Sequence, residues 1–253
     1  MKLTILGCAG SYPGPDSPAS GYLLQIPHDG GELRIVMDLG NGALGALQRY
    51  VDPRHIDAIL LSHMHPDHCM DMCGLFVASR YHPDGPYDRI PVWAPDGAGA
   101  YLAMAYGGVD GDRMDEQFDF HAWDPAGSVS LGPARISVAR VVHPVPAFAI
   151  RVAAHGRSLV YTGDTGPTPV LGEFASGADV LLAEASFVER LDNPPDLHLT
   201  GAQAAQSANE AGVERLLLTH IPAWTDPAEV LADAHTVRDE GNEIVRAGNI
   251  YDI

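Results

Sequence analysis

Apolar residues along this chain fall into short runs separated by turn-forming residues. Residues 3–7, 22–26 and 33–38 are brief apolar runs, as strands of a sheet are. A helix is predicted over 43–50, and Ile56-Asp57-Ala58-Ile59-Leu60-Leu61 reads as a short buried strand. Pro66 then marks a helix start, and that helix is expected to run to about residue 80. From 90 to 142 strands broken by turns are expected, with one helix near 99–106. Residues 138–142, 148–152 and 158–162 alternate or run continuously apolar, as strands do. In the last third, 180–183 and 215–219 read as buried strands. Thr200-Gly201-Ala202-Gln203 has the form of a capping box, opening an Ala-rich helix that Gly212 can end. Asp226-Pro227 supplies an N-cap and an N1 proline for a final helix to about 240. Strands and helices interleave in both halves, which predicts sheets covered by helices.

Composition sharpens this picture. At 253 residues and 46% hydrophobic content the chain can bury a large core, and no linker divides it, so one domain over 1–253 is expected. The Gly- and Pro-rich stretches 10–20 and 84–86 are short and read as loops. A net charge of −18 argues against broad binding to a nucleic-acid backbone, which rests on basic patches. A small anionic substrate stays open, because bound cations can dominate the field of a site. Strand-like residues follow directly on Met1-Lys2, so no signal peptide is read, and no apolar run has membrane-spanning length. Cys8, Cys69 and Cys73 are too few for a disulfide framework and point to a reducing cytoplasm. Cys69 and Cys73 share a face of the predicted helix and read first as small buried hydrophobes, with a thiolate role as the alternative.

The candidate chemistry begins at Ser62-His63-Met64-His65-Pro66-Asp67-His68, which packs three imidazoles and a carboxylate into six positions after a buried strand. Imidazole nitrogen and carboxylate oxygen are ligands that Zn, Mn and Fe accept readily. A strand that delivers side chains into a turn and then a helix can aim several of them at one point. Further ligand types stand at the ends of other apolar runs: His143 after 138–142, Asp164 after 159–163, and His220 after 216–219. One such His would read as a structural residue; three, matched to H-x-H-x-D-H, form a pattern.

In this order, His63-x-His65-x-Asp67-His68, His143, Asp164 and His220 resemble the metal motifs of the metallo-β-lactamase superfamily, over nearly the whole chain. The resemblance implies an α/β four-layer αβ/βα sandwich with the site along one edge. It also implies two divalent metal ions, the first held by His63, His65 and His143 and the second by Asp67, His68 and His220, with Asp164 bridging. Zinc is the first expectation, and Mn or Fe suit the same nitrogen and oxygen donors. Di-zinc β-lactamases of this superfamily carry Cys where this chain has Asp164, and its flavodiiron members usually carry Glu in place of His65. Both chemistries are therefore disfavoured, and the binuclear hydrolases fit.

Leu182-Ala183-Glu184-Ala185-Ser186-Phe187, His198-Leu199-Thr200-Gly201-Ala202-Gln203 and Leu217-Leu218-Thr219-His220 are similar to the phosphodiesterase branch that contains the tRNA 3′-processing endonucleases. There the corresponding His touches the scissile phosphate and can protonate the leaving oxygen, which gives His198 a catalytic role beside its alternative as a plain loop residue. Those endonucleases insert a long glycine-rich arm where this chain has only 144–163, enough for two strands and a turn. Gly14-Pro15-Asp16-Ser17-Pro18, Gly45-Ala46-Leu47-Gln48-Arg49, Arg80-Tyr81-His82-Pro83 and Pro194-Pro195-Asp196-Leu197-His198-Leu199 instead look like the atypical class II cyclic-nucleotide phosphodiesterases of actinobacteria.

The reading is thus a cytoplasmic two-metal phosphodiesterase, most simply one that hydrolyses 3′,5′-cyclic AMP. Its partner is a small phosphodiester, with nucleic acid disfavoured, no membrane, and a homodimer implied by the resemblance. Two cations about 3.5–4 Å apart would lower the pKa of a bridging water and leave hydroxide to attack in line. Asp67 would both ligate and orient the nucleophile, and His198 would stabilise or protonate the leaving ribose oxygen. Asp38, ending a strand, either orients a ligand His or serves as a turn residue. The loop 11–20, stiffened by Pro13, Pro15 and Pro18, is placed near the site. Tyr81, Trp93 and Trp224 are candidates for stacking on a base, each with a core or interface role as the alternative. An RNA 3′-end endonuclease or a thioester hydrolase on the same metals is the alternative function.

Overall fold

A computed structural model describes residues 1–108 and 114–253. The first half contributes β1 (Lys2–Gly7), β2 (Ala9–Gly10), β3 (Gly21–His28), β4 (Gly31–Leu39), β5 (Ala58–Leu60), β6 (Ile90–Ala94) and β7 (Phe118–Ala122), with α1 (Ala43–Leu47), α2 (Pro66–Cys69), α3 (Asp71–Arg80) and α4 (Ala98–Tyr106). The second contributes β8 (Val129–Leu131), β9 (Ala134–Arg140), β10 (Phe148–Ala154), β11 (Arg157–Tyr161), β12 (Val180–Glu184), β13 (Arg215–Thr219), β14 (Ile221–Pro222), β15 (Asn242–Ile244) and β16 (Ile250–Asp252), with α5 (Val170–Phe174), α6 (Gly201–Ala211) and α7 (Pro227–His235).

Two seven-stranded sheets result, in the orders β16-β1-β3-β4-β5-β6-β7 and β15-β13-β12-β11-β10-β9-β8, and β14 pairs with β2 in a short ribbon. Side chains alternate across each strand, so one face of each sheet meets the other sheet and the second face meets helices. In β3, Tyr22, Leu24 and Ile26 join the core between the sheets, whereas Leu23 packs under α1, α3 and α4 with Leu47, Phe76 and Leu102. In β12, Val180 and Leu182 join the same central core, and Leu181 and Ala183 pack with Leu171, Ala204, Ala208 and Val230 of α5, α6 and α7. This is the four-layer αβ/βα sandwich that the family resemblance implies. Among the described residues no helix is long and apolar enough to cross a membrane.

The neighbours β4–β5–β6–β7 are parallel, as are β11–β12–β13–β15. Parallel strands bring their carboxyl ends to one edge, where open sheets hold ligands. The span 144–163 forms the β10–β11 hairpin, turned at His155 and Gly156, both with positive φ, as a tight hairpin turn requires.

Several boundaries differ from the sequence expectation. The helix predicted from Pro66 to about 80 is two helices, α2 and α3, parted at Met70; the Asp71 carboxylate accepts the Leu44 amide and ties the second to α1. The strand predicted over 138–142 is β9, which stops at Arg140, so His143 stands in the loop beyond it. The final helix ends at His235 rather than near 240. Residues 109–113, within the region expected to hold strands and turns, lie outside the described residues.

Candidate metal centre

Each sequence-predicted ligand follows a strand end on the same edge. His63, His65, Asp67 and His68 follow β5, His143 follows β9, Asp164 follows β11 and His220 follows β13. Pro66 opens α2, placing Asp67 and His68 in its single turn. His220 sits at φ 57°, left-handed backbone that a residue with a β-carbon rarely adopts, and so turns its ring back toward the sheet edge. Gly10 lets β2 approach: a β-carbon there would collide with the His220 carbonyl oxygen.

Two donor groups form, sharing Asp164. In the first, His65 Nδ1 lies 3.2 Å from His63 Nε2 and 3.1 Å from His143 Nε2, and Asp164 Oδ2 is 3.6 Å from His63 Nε2. In the second, His220 Nε2 lies 3.0 Å from His68 Nε2, 3.1 Å from Asp67 Oδ2 and 3.4 Å from Asp164 Oδ2. His68 Nε2 is also 3.2 Å from Asp164 Oδ1. Ligands about 2.0–2.1 Å from a tetrahedral ion stand about 3.3 Å from one another, so both groups have the dimensions of a cation site.

The outer ring nitrogens fix which atoms face inward. His68 Nδ1 donates to Asp38 Oδ2 at 2.7 Å, and His143 Nδ1 to the Leu197 carbonyl at 3.0 Å. Ser62 Oγ donates to Asp38 Oδ2, so its lone pair takes the His63 Nδ1 proton at 3.0 Å. Ser186 Oγ donates to the His220 carbonyl and likewise accepts from His220 Nδ1 at 2.8 Å. Four imidazoles therefore turn Nε2 inward, His63, His143 and His220 as lone pairs, while His68 would give up its Nε2 proton to a bound cation. His65 Nδ1 can donate to only one of its two facing nitrogens, so lone pairs converge with no proton between them. Asp164 Oδ1, buried, accepts no regularly shaped hydrogen bond among the described residues. Converging lone pairs and an unspent carboxylate oxygen are what a bound cation satisfies.

Electrostatics separate the groups. Burial pushes the imidazoles of His63, His65 and His143 below their ordinary value, which keeps them neutral donors. Burial acts the same way on His68, but the Asp164 and Asp38 carboxylates overcome it and hold the ring well above its ordinary value. Asp67 and Asp164, although burial opposes their charge, are held low by the surrounding histidines and stay ionised.

Asp38 does more than end a strand. Its carboxylate also accepts the Ser62 amide at 2.7 Å and the Tyr161 hydroxyl at 2.8 Å, and is fully buried. His198 stands at the outer side, its Nδ1 2.9 Å from Glu184 Oε1 and 4.0 Å from Asp164 Oδ2. Burial lowers its pKa, but the charge and hydrogen bond of Glu184 prevail and raise it to about 9. Glu184, fully buried, also accepts the Thr165 and Ser186 amides.

Glu184, Ser62, Ser186 and Tyr161 were not assigned from sequence. A signal existed for Glu184, a carboxylate ending the otherwise apolar strand Val180–Glu184. The hydroxyls carry no such mark. Of the aromatic candidates, Trp93 stacks on His121, with ring centroids 4.9 Å apart, while Tyr81 and Trp224 are 61% and 69% exposed. All three cysteines are free thiols; Cys69 is buried, its thiol pushed up to about 12 by burial, and it donates to the His65 carbonyl, so it packs the motif, and among the described residues no candidate metal group includes a cysteine.

Paired sheets with two histidine–aspartate groups at one edge define a hydrolase class. The chain belongs to the β-lactamase superfamily: residues 33–221 match the β-lactamase superfamily domain, and the chain is a metallo-hydrolase of that fold. Rv1339 of Mycobacterium tuberculosis is 45% identical over 261 residues, covering 98% of this chain and 94% of its own. The probable metallo-hydrolase YhfI of Bacillus subtilis is 30% identical over 261 residues, with 100% of both chains covered. The crystal structure of YhfI superposes with a TM-score of 0.86 at 27% identity over 99% of each chain. Ribonuclease Z of Mycobacterium bovis is 28% identical over 249 residues, covering 88% of this chain and 87% of its own.

Proposed function

We propose that this metallo-hydrolase is a two-metal phosphodiesterase acting on 3′,5′-cyclic nucleotides, cyclic AMP foremost. His63, His65 and His143 would hold one divalent ion, zinc first, and Asp67, His68 and His220 the other, with Asp164 shared. Bound there, such ions activate water and neutralise charge on a phosphoryl group. Asp67 would act both as a ligand and as the carboxylate that orients the attacking water. His198, positively charged through Glu184, holds a proton at the cleft side for the departing ribose oxygen.

The observation that carries this reading is the His198–Glu184 pair set 4.0 Å from the shared carboxylate, an acid beside a cation site, which a phosphodiester with a poor leaving group needs. A small substrate is favoured by the short β10–β11 hairpin and by the net charge of −18, which offers no basic arm to a nucleic-acid backbone. The likeness to ribonuclease Z supports a second reading, an RNA 3′-end endonuclease on the same residues. A cytoplasmic location fits the three free thiols, and a homodimer rests on the family resemblance alone.

The test is a substrate panel on protein loaded with Mn or Zn: cyclic AMP, cyclic GMP, 2′,3′-cyclic nucleotides, bis(p-nitrophenyl) phosphate, pre-tRNA and S-lactoylglutathione. Turnover of cyclic AMP and bis(p-nitrophenyl) phosphate is expected. Cleavage of S-lactoylglutathione alone would overturn the phosphodiesterase reading, and preferred cleavage of pre-tRNA would install the second.

A further inference from the structure

We infer that Tyr12 and Trp224 form an aromatic platform that stacks the heterocyclic base of the substrate; this rests on the phosphodiesterase reading above. The two rings lie against each other with centroids 5.1 Å apart and an interplanar angle of 35°, yet they are 41% and 69% exposed. Trp224 differs from the other tryptophans: Trp123 is buried and donates to the Leu61 carbonyl, and Trp93 is half-buried on His121.

Placement ties the pair to the metal centre. Ile221 and Pro222 directly follow His220 and pair with Ala9 and Gly10; Trp224 and Tyr12 each stand two residues past that ribbon. The backbone beneath them is pinned. Tyr12 N donates to Gly10 O at 2.8 Å, Gly14 N to Ser17 O at 2.9 Å, and Thr225 N to Pro222 O at 2.9 Å. Ser11 adopts left-handed backbone, φ 65°, a sparsely populated conformation of the kind that clusters at active sites and ligand clamps. Trp224 also rims a cavity of about 400 Å³ whose lining includes Ser186 and Phe187. Ser186 holds His220, and the Phe187 ring meets His198 edge-on at 5.1 Å, so this cavity adjoins the acid side of the site.

The occupant follows from size and charge. Two rings are far too small for a stable protein interface, which buries about 1,600 Å² in total. They match one planar heterocycle, and a π-face accepts a base without adding charge to a strongly acidic molecule.

AMP, ribose 5-phosphate and inorganic phosphate would be titrated into metal-loaded protein, read by tryptophan fluorescence and calorimetry, for wild type, Trp224→Ala, Trp224→Phe and Tyr12→Ala. AMP is expected to quench the exposed tryptophan and to bind tighter than ribose 5-phosphate. Trp224→Ala should weaken AMP by about 5- to 160-fold, the range of base–aromatic stacking, and raise KM for cyclic AMP more than it lowers kcat. Trp224→Phe should restore most of the preference for AMP, and Tyr12→Ala should lose part of it. Equal affinity of wild type for AMP and ribose 5-phosphate, or full preference for AMP in Trp224→Ala, overturns the platform. So does conversion of a dimer to a monomer by Trp224→Ala in light scattering without loss of that preference, which would make the pair a subunit contact. If cyclic AMP is hydrolysed but AMP shows no base preference, the platform fails and the phosphodiesterase reading stands. If no phosphodiester is cleaved yet AMP quenches Trp224, the reading fails and the base site stands.

Discussion

The two halves of the candidate metal centre are built on opposite terms. His65 and His143 are half-buried beside a fully buried His63, and the imidazoles of their group are held neutral by burial. His68, His220 and Asp67 are 0%, 1% and 7% exposed, and three carboxylates, Asp38, Asp67 and Asp164, crowd the rings there. The open group offers neutral donors to the cleft. The closed group concentrates negative charge where water cannot screen it, and so demands a cation. Asp164 belongs to both, which makes it the one residue whose loss should erase the distinction.

The largest effect is therefore expected at Asp164→Ala, which should empty or scramble both groups and abolish hydrolysis. Elemental analysis by mass spectrometry checks this, and two ions retained with unchanged activity would remove the shared role. Next comes His198→Ala, expected to lower kcat by about 10²- to 10⁴-fold, as loss of a general acid does, while metal content holds. Loss of metal in that variant would make His198 a ligand. Asp38→Asn should act most on the closed group, weakening its ion by about 10- to 100-fold in chelator competition, the usual cost of losing a carboxylate behind a ligand histidine, and less on the open group, whose His63 meets Asp38 only through Ser62. Equal weakening of both ions would dissolve the contrast between the groups. Smallest is Glu184→Gln, which leaves His198 its hydrogen bond but not the partner charge. A fall in kcat of about tenfold, the worth of one charge-assisted bond, is expected with metal content unchanged.

What could be read beforehand follows the same division. His63, His65, Asp67 and His68 were legible because four ligand types within six positions after an apolar run are rare. His143, Asp164 and His220 were legible because each ends an apolar run, and the interleaving of strands and helices made sheets covered by helices readable, the four-layer arrangement being implied by the family resemblance. The support behind the ligands was only partly legible. Asp38 could be either a turn residue or an orienting carboxylate, and only the convergence of Ser62, Tyr161 and His68 on it decides. Ser186 meets His220 from 34 positions away, a pairing that depends on how β12 and β13 register. The break at Met70 escaped too, because the Asp71 contact with α1 that sets α3 is tertiary rather than local.

The central claim is that Asp164 is shared by two cation sites. It is tested most directly by anomalous diffraction from crystals of the zinc- or manganese-loaded protein. Two peaks are predicted, one among His63, His65 and His143 and one among Asp67, His68 and His220, with Asp164 touching both. A single peak at full metal loading, or two peaks of which Asp164 touches only one, would contradict the account.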